Sequence, residues 1–102
     1  MKIQELLSRY RAGQRDFRNL NLTAANLRNM NLSGADLRGT NLTSVNLTRT
    51  NLSYANLAGA NMTNATLLET NLTGANLDDA NLNGTDLSQA IVNSTSSRKA
   101  IR

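Results

Sequence analysis

Asp78 and Asp79 form the only adjacent pair of carboxylates in a chain of 102 residues that contains no histidine, cysteine, tryptophan or proline. A carboxylate pair can divide general acid and base roles or hold a cation. Composition removes the usual Cys/His zinc site and any Cys- or His-based nucleophile. For chemistry there remain Asp, Glu, Tyr, Ser, Thr and two lysines near the termini, Lys2 and Lys99. These types do work only when a concave pocket gathers them. The plainer reading of Asp78 and Asp79, two solvated outward positions, is preferred. No catalytic, cofactor-binding or metal-binding residue is expected.

The other candidates are contacts for a partner. Net charge is +4, and it is unevenly spread. Residues 15–54 carry Arg15, Arg18, Arg28, Arg38 and Arg49 against Asp16 and Asp36, whereas residues 55–94 carry Glu69, Asp78, Asp79 and Asp86 with no base. Arg18 and Arg38 are candidates for contact with phosphate or an acidic partner. Against that stands the modest worth of exposed ion pairs, ~0–1 kcal/mol each. Tyr54 and Leu68 are the bulky apolar residues that the periodicity below sends outward. The acidic end built around Asp78 and Asp79 completes the set. Asn-x-Ser/Thr triplets such as Asn41-Leu42-Thr43 and Asn71-Leu72-Thr73 recur automatically with the repeat. Their short amide side chains are expected to bond along the stack and to local backbone.

The element that must position all of these has a period of five. From Phe17 to Leu87, every fifth residue is leucine except Phe17 and Met62. The residue before each is Asn or Asp except at Thr66, and the residue two before is Ala or Thr except at Arg15, Leu20, Met30 and Val45. A step of five rotates an α-helix by about 140° and scatters the leucines. In a flat strand it sends successive leucines to opposite faces. The pattern works when five residues form one short side of a coil and the chain then bends. The leucine and the small residue two before it then point inward, and the Asx between them points out. Glycines near the bends tolerate backbone angles that a Cβ disfavours. Coils stacked about 4.8 Å apart would pair backbone with backbone and leucine with leucine.

The units "ANLRN", "ADLRG", "ANLAG", "TNLTG", "ANLDD" and "TDLSQ" resemble the pentapeptide-repeat family. That resemblance implies an all-β solenoid, the right-handed quadrilateral β-helix, with four repeats to a coil. Residues 15–94 would make about four coils, a rod roughly 20 Å long. It further implies that residues twenty apart are vertical neighbours. Arg18 then lies under Arg38 and Asp16 under Asp36 on one face, Arg49 pairs with Glu69 on another, and Tyr54 and Leu68 fall on different faces. Some family members mimic DNA and bind DNA gyrase. A rod that is basic in its first half fits that role poorly.

Ile3, Leu6, Leu7 and Tyr10 fall at helical spacing, so residues 1–14 are expected to hold a helix over about 3–11 that caps the first coil, with Gly13 ending it. The lead-in "IQELLSRYRAGQRDF" resembles that of many cyanobacterial pentapeptide-repeat proteins. Residues 95–102 form a basic tail, expected to be flexible. Two alternatives stay open: Arg98, Lys99 and Arg102 lie against the acidic coils, or the open end dimerises. The start lacks the long apolar run of a signal peptide, and no segment approaches the length of a membrane span, so a cytoplasmic protein is expected. The sequence therefore points to a non-enzymatic interaction or scaffold protein with an unidentified protein partner. A homodimer through the C-terminal end is a further option. Membrane association is not expected, and weak nucleic-acid binding through the basic residues is the least favoured partner class.

Overall fold

In the computed structural model, which describes residues 1–102, the chain winds as a four-sided solenoid behind one short helix. Every backbone bridge is parallel and joins residues twenty apart, so four five-residue sides complete a turn. The first face is tied together by Asp16, Asp36, Asn56, Asn76 and Ser96, the second by Asn21, Asn41, Asn61, Asn81 and Ile101. The third face pairs Asn26, Asn46 and Thr66, and the fourth pairs Asn31, Asn51, Asn71 and Ile91. Each Asx residue therefore sits at the point of pairing while the leucine after it turns inward. Leu32, Leu52, Leu57, Leu72 and Leu77 are fully buried, and Ala35, Ala60 and Ala80 fill the small positions between the ladders. No helix is long and apolar enough to cross a membrane.

Five threonines occupy inward small positions without an orphaned hydroxyl; Thr40 bonds to the Leu37 carbonyl of its own turn and Thr85 to the Met62 carbonyl one turn below. Thr50 donates to the Leu27 carbonyl at 2.5 Å, Thr70 to Leu47 at 2.6 Å and Thr95 to Leu72 at 2.6 Å. In these three the hydroxyl reaches down one turn to a leucine carbonyl, which satisfies the requirement that a buried donor be paired. No buried side-chain nitrogen or oxygen lacks a partner.

The bends are hydrogen-bonded turns. The N–H three residues after a leucine returns to that leucine's carbonyl, as from Ala55 to Leu52 and from Ala75 to Leu72. The residue between takes positive φ, the mark of a type II-like turn. Glycine was expected there. Eleven of these positions hold another residue, among them Asn19, Asn64, Asp79, Tyr54 and Glu69. Short Asx side chains tolerate this region, but Tyr54 and Glu69 hold it under strain that the stacked neighbours must impose. The Asx side chains themselves act locally rather than along the stack. Asn41 Oδ1, for example, accepts the Thr43 main-chain N–H at 3.1 Å and its hydroxyl at 2.7 Å.

Helix α1 (Ile3–Arg11) places Leu6 in the core, with Ile3 and Tyr10 packed beside it. It ends in a Schellman motif, in which Gln14 N–H reaches Arg9 O and Gly13 N–H reaches Tyr10 O, with Gly13 at φ +94°. Tyr10 locks the cap to the solenoid by donating to the Ser33 carbonyl at 2.7 Å, and the Arg15 guanidinium stacks 3.7 Å from its ring centre.

The expectation of a flexible tail is corrected. Residues 95–102 keep winding. Leu77, Asp79 and Leu82 donate their N–H groups to Ser96, Arg98 and Ile101, and Ser96 and Ile101 donate to Ala75 and Ala80. Every one of these groups would face solvent if the tail were loose.

Candidate functional site

The outer positions of the first face run Arg18, Arg38, Ala58, Asp78 and Arg98 up the stack, so three of the six candidate contact residues share one column. Arg18 and Arg38 are not free cations there. Arg18 grips Asp16 through Nε at 2.9 Å and Nη2 at 3.0 Å, and Arg38 grips Asp36 through Nε at 2.9 Å and Nη2 at 2.7 Å. Arg18 also lies 3.9 Å from Asp36. The Arg18 guanidinium holds the Asp16 carboxyl down at about 2, and hydrogen bonding from Arg38 likewise lowers Asp36. Arg49 and Glu69 approach to 3.7 Å on a different edge, the cross-turn pair that the family resemblance implied.

Asp78 and Asp79 are parted by the bend. Asp78 Oδ1 accepts the Ser96 hydroxyl at 2.5 Å and the Arg98 N–H at 2.8 Å, which lowers its carboxyl below the usual range. Asp79 takes the positive-φ corner instead, at φ +62°, and its N–H bonds to Arg98 O. No group of three metal-ligating side chains forms anywhere on the surface.

Tyr54 and Leu68 do fall apart. Tyr54, 70% exposed, lies at the corner after the fourth face with its ring over Gly74. Leu68 projects from the third face, where the structure holds something that residue types did not announce. The bridge that should join Thr66 to Asp86 is missing, and a groove of about 370 Å³ opens there. Asn64, Ala65, Leu68, Gly84, Asp86 and Gln89 line it. Its one trace in the sequence is Thr66, the single unit without Asn or Asp before the central leucine.

The family model described as pentapeptide repeats (8 copies) matches residues 16–53 and again 55–93. The chain belongs to the pentapeptide repeat family. Its fold is accordingly the right-handed quadrilateral β-helix of that family. Among solved pentapeptide repeat proteins, it is similar to HetL of the cyanobacterium Nostoc sp. Strain PCC 7120, a protein involved in heterocyst differentiation regulation. Identity is 32% with a TM-score of 0.75, over 98% of this chain and 44% of HetL. The chain thus spans under half the length of HetL. A pentapeptide repeat protein of the cyanobacterium Cyanothece 51142 matches at 26% identity and TM-score 0.56, over 98% of this chain and 95% of that one. QnrB1, a plasmid-mediated fluoroquinolone resistance protein, matches at 25% identity and TM-score 0.55, over 83% of this chain and 49% of its own. No curated protein matches the sequence.

Proposed function

We propose that the chain is a non-enzymatic scaffold of about four coils that presents its rigid faces, or its apolar final units, to a protein partner. One observation supports this above the others: the groups able to do chemistry are spent on the fold. Asp16 and Asp36 neutralise Arg18 and Arg38, Asp78 is bonded to Ser96 and Arg98, and the Asn side chains cap their own turns. A regulatory rather than catalytic role is also what HetL's involvement in heterocyst differentiation regulation is consistent with. The pairing of Arg18 with Asp16 and of Arg38 with Asp36 disfavours nucleic-acid binding through that column. The exposed Ile91, Val92 and Ile101 near the end of the solenoid suit self-association.

Affinity capture from the native host, with a light-scattering mass on the same preparation, tests this reading. A discrete complex or a dimer is the expected result. Turnover of a substrate, abolished by changing one surface residue, would overturn it. The likeness to QnrB1 raises a second reading, a DNA mimic acting on DNA gyrase. Mimicry requires rows of negative charge, and residues 15–54 carry five arginines against two aspartates. Supercoiling by gyrase is therefore expected to proceed unchanged in the presence of the protein.

A further inference from the structure

The third face opens between two pinned corners. Asn64 N–H still reaches Asn83 O at one corner, and at the other Glu69 N–H bonds to Gln89 O. The regular register would have sent Glu69 to Ser88, as Arg49 goes to Leu68 one turn below. Between the corners, the N–H groups of Leu67 and Asp86 and the carbonyls of Ala65 and Asp86 make none of the bonds that their equivalents make elsewhere. One turn below, Leu47 N–H reaches Thr66 O and Thr66 N–H reaches Val45 O. Leu68 N–H is unmet as well. In other units that N–H is accepted by the preceding Asx side chain, as Thr48 N–H is by Asn46 Oδ1 at 3.1 Å. Thr66 has no such acceptor in reach of its own turn. The break coincides with a unit that lacks its Asx, although Ile91, Ser96 and Ile101 lack it too and their units stay paired.

Unpaired main-chain donors and acceptors that line a groove are a template for another backbone. Here they lie beside Leu68, which is 40% exposed. Asp86 lines the same groove, and its carboxyl is held ionised by Ser88 through the hydroxyl and the main-chain N–H. Asp86 is the acid that lines the groove; Glu69 stands at its corner, 3.7 Å from Arg49, and Asp78 belongs to the first face. We propose that this groove docks an extended, basic peptide segment of a protein partner. One or two of its peptide groups bond to the open seam, an apolar side chain covers Leu68, and a lysine or arginine meets Asp86. The pinned corners limit the engaged length to a few residues, so no strand threads through. The inference rests on the scaffold reading and names the partner chemistry for one face of it.

The test titrates the full, nitrogen-15-labelled chain with a blocked Lys-Val-Lys-Val-Lys peptide and with its Glu-Val-Glu-Val-Glu counterpart. The basic peptide is expected to shift the amides of Leu67, Leu68, Asp86 and Gln89, and the acidic one to leave them in place. D86N keeps the bond to Ser88 and should weaken the basic peptide about three-fold. N-methylating the peptide backbone should abolish the response. A second readout needs no ligand: the Leu67 and Asp86 amides should exchange with solvent faster than those of Leu47 and Asn46, and T66N should slow exchange at Leu68. Equal protection of the two rows, equal response to both peptides, or shifts centred on another face would overturn the proposal. A host partner whose capture is indifferent to D86N and L68S would leave the scaffold reading standing and remove this groove from it.

Discussion

Tyr54 and Gly74 show how single residues serve the stack. A Cβ built on Gly74 would come within 2.5 Å of two Tyr54 ring carbons, and Gly74 also sits at φ +67°. Gly59 has the same φ with open space around it. G59A should therefore lose only the backbone term, about 1–2 kcal/mol. G74A should lose that and displace the tyrosine too. Urea unfolding of G59A, G74A, Y54A and the Y54A/G74A double variant checks this. Relief of the extra loss in the double variant is the expected sign of coupling. Tyr54, read from its type as a contact for a partner, is at least partly a lid over the next corner. The carboxylates make a second residue-scale prediction. Asp16, Asp36, Asp78 and Asp86 all have folded-state values below the ordinary one. A depressed value contributes stability above the unfolded pKa and loses it as pH falls through the folded one. With no histidine present, melting temperature should be nearly level from pH 8 to pH 5, then fall between about pH 4 and pH 2. D36N should flatten part of that fall in a series of thermal melts.

At the scale of elements, the two ends are built differently. The helix closes the first turn with side chains: Leu6 enters the core and Tyr10 bonds to Ser33. The last eight residues extend the ladder with backbone. Deleting 95–102 would leave the N–H groups of Leu77, Asp79 and Leu82 without acceptors and uncover Ala75 and Ala80. The truncated chain should unfold at lower urea, and the amides of Leu77 and Leu82, protected in the full chain, should exchange quickly. The helix was legible because its apolar spacing is a property of the segment itself. The tail was not, because Ser97 and Arg102 stand where leucine had marked the core. The signal was nevertheless present in Ala90, Thr95 and Ala100, which keep the small inward residue in register every five positions. Pairing of backbone to backbone does not depend on the side chain, so the ladder outlives the motif.

For the whole molecule, each turn contacts only its neighbours, so stability accumulates turn by turn and a local fault stays local. The unpaired seam between Thr66 and Asp86 leaves the bridges on the other three faces unbroken. What the sequence by itself determined was the repeat, its inward leucines and small residues, the capping helix and the poverty of catalytic groups, all of which follow from residue type and spacing. The count of four sides entered through family resemblance, since a period of five does not state how many sides close a turn. Only the tertiary structure decided that Arg18 and Arg38 are neutralised, that Asp78 and Asp79 point to different tasks, that the tail is wound in, and that the third face is open. The first rests on pairs that form two residues apart within one side, Arg18 with Asp16 and Arg38 with Asp36. The last three depend on what lies about twenty residues away, one turn above or below, a neighbour set by winding rather than by adjacency in the chain.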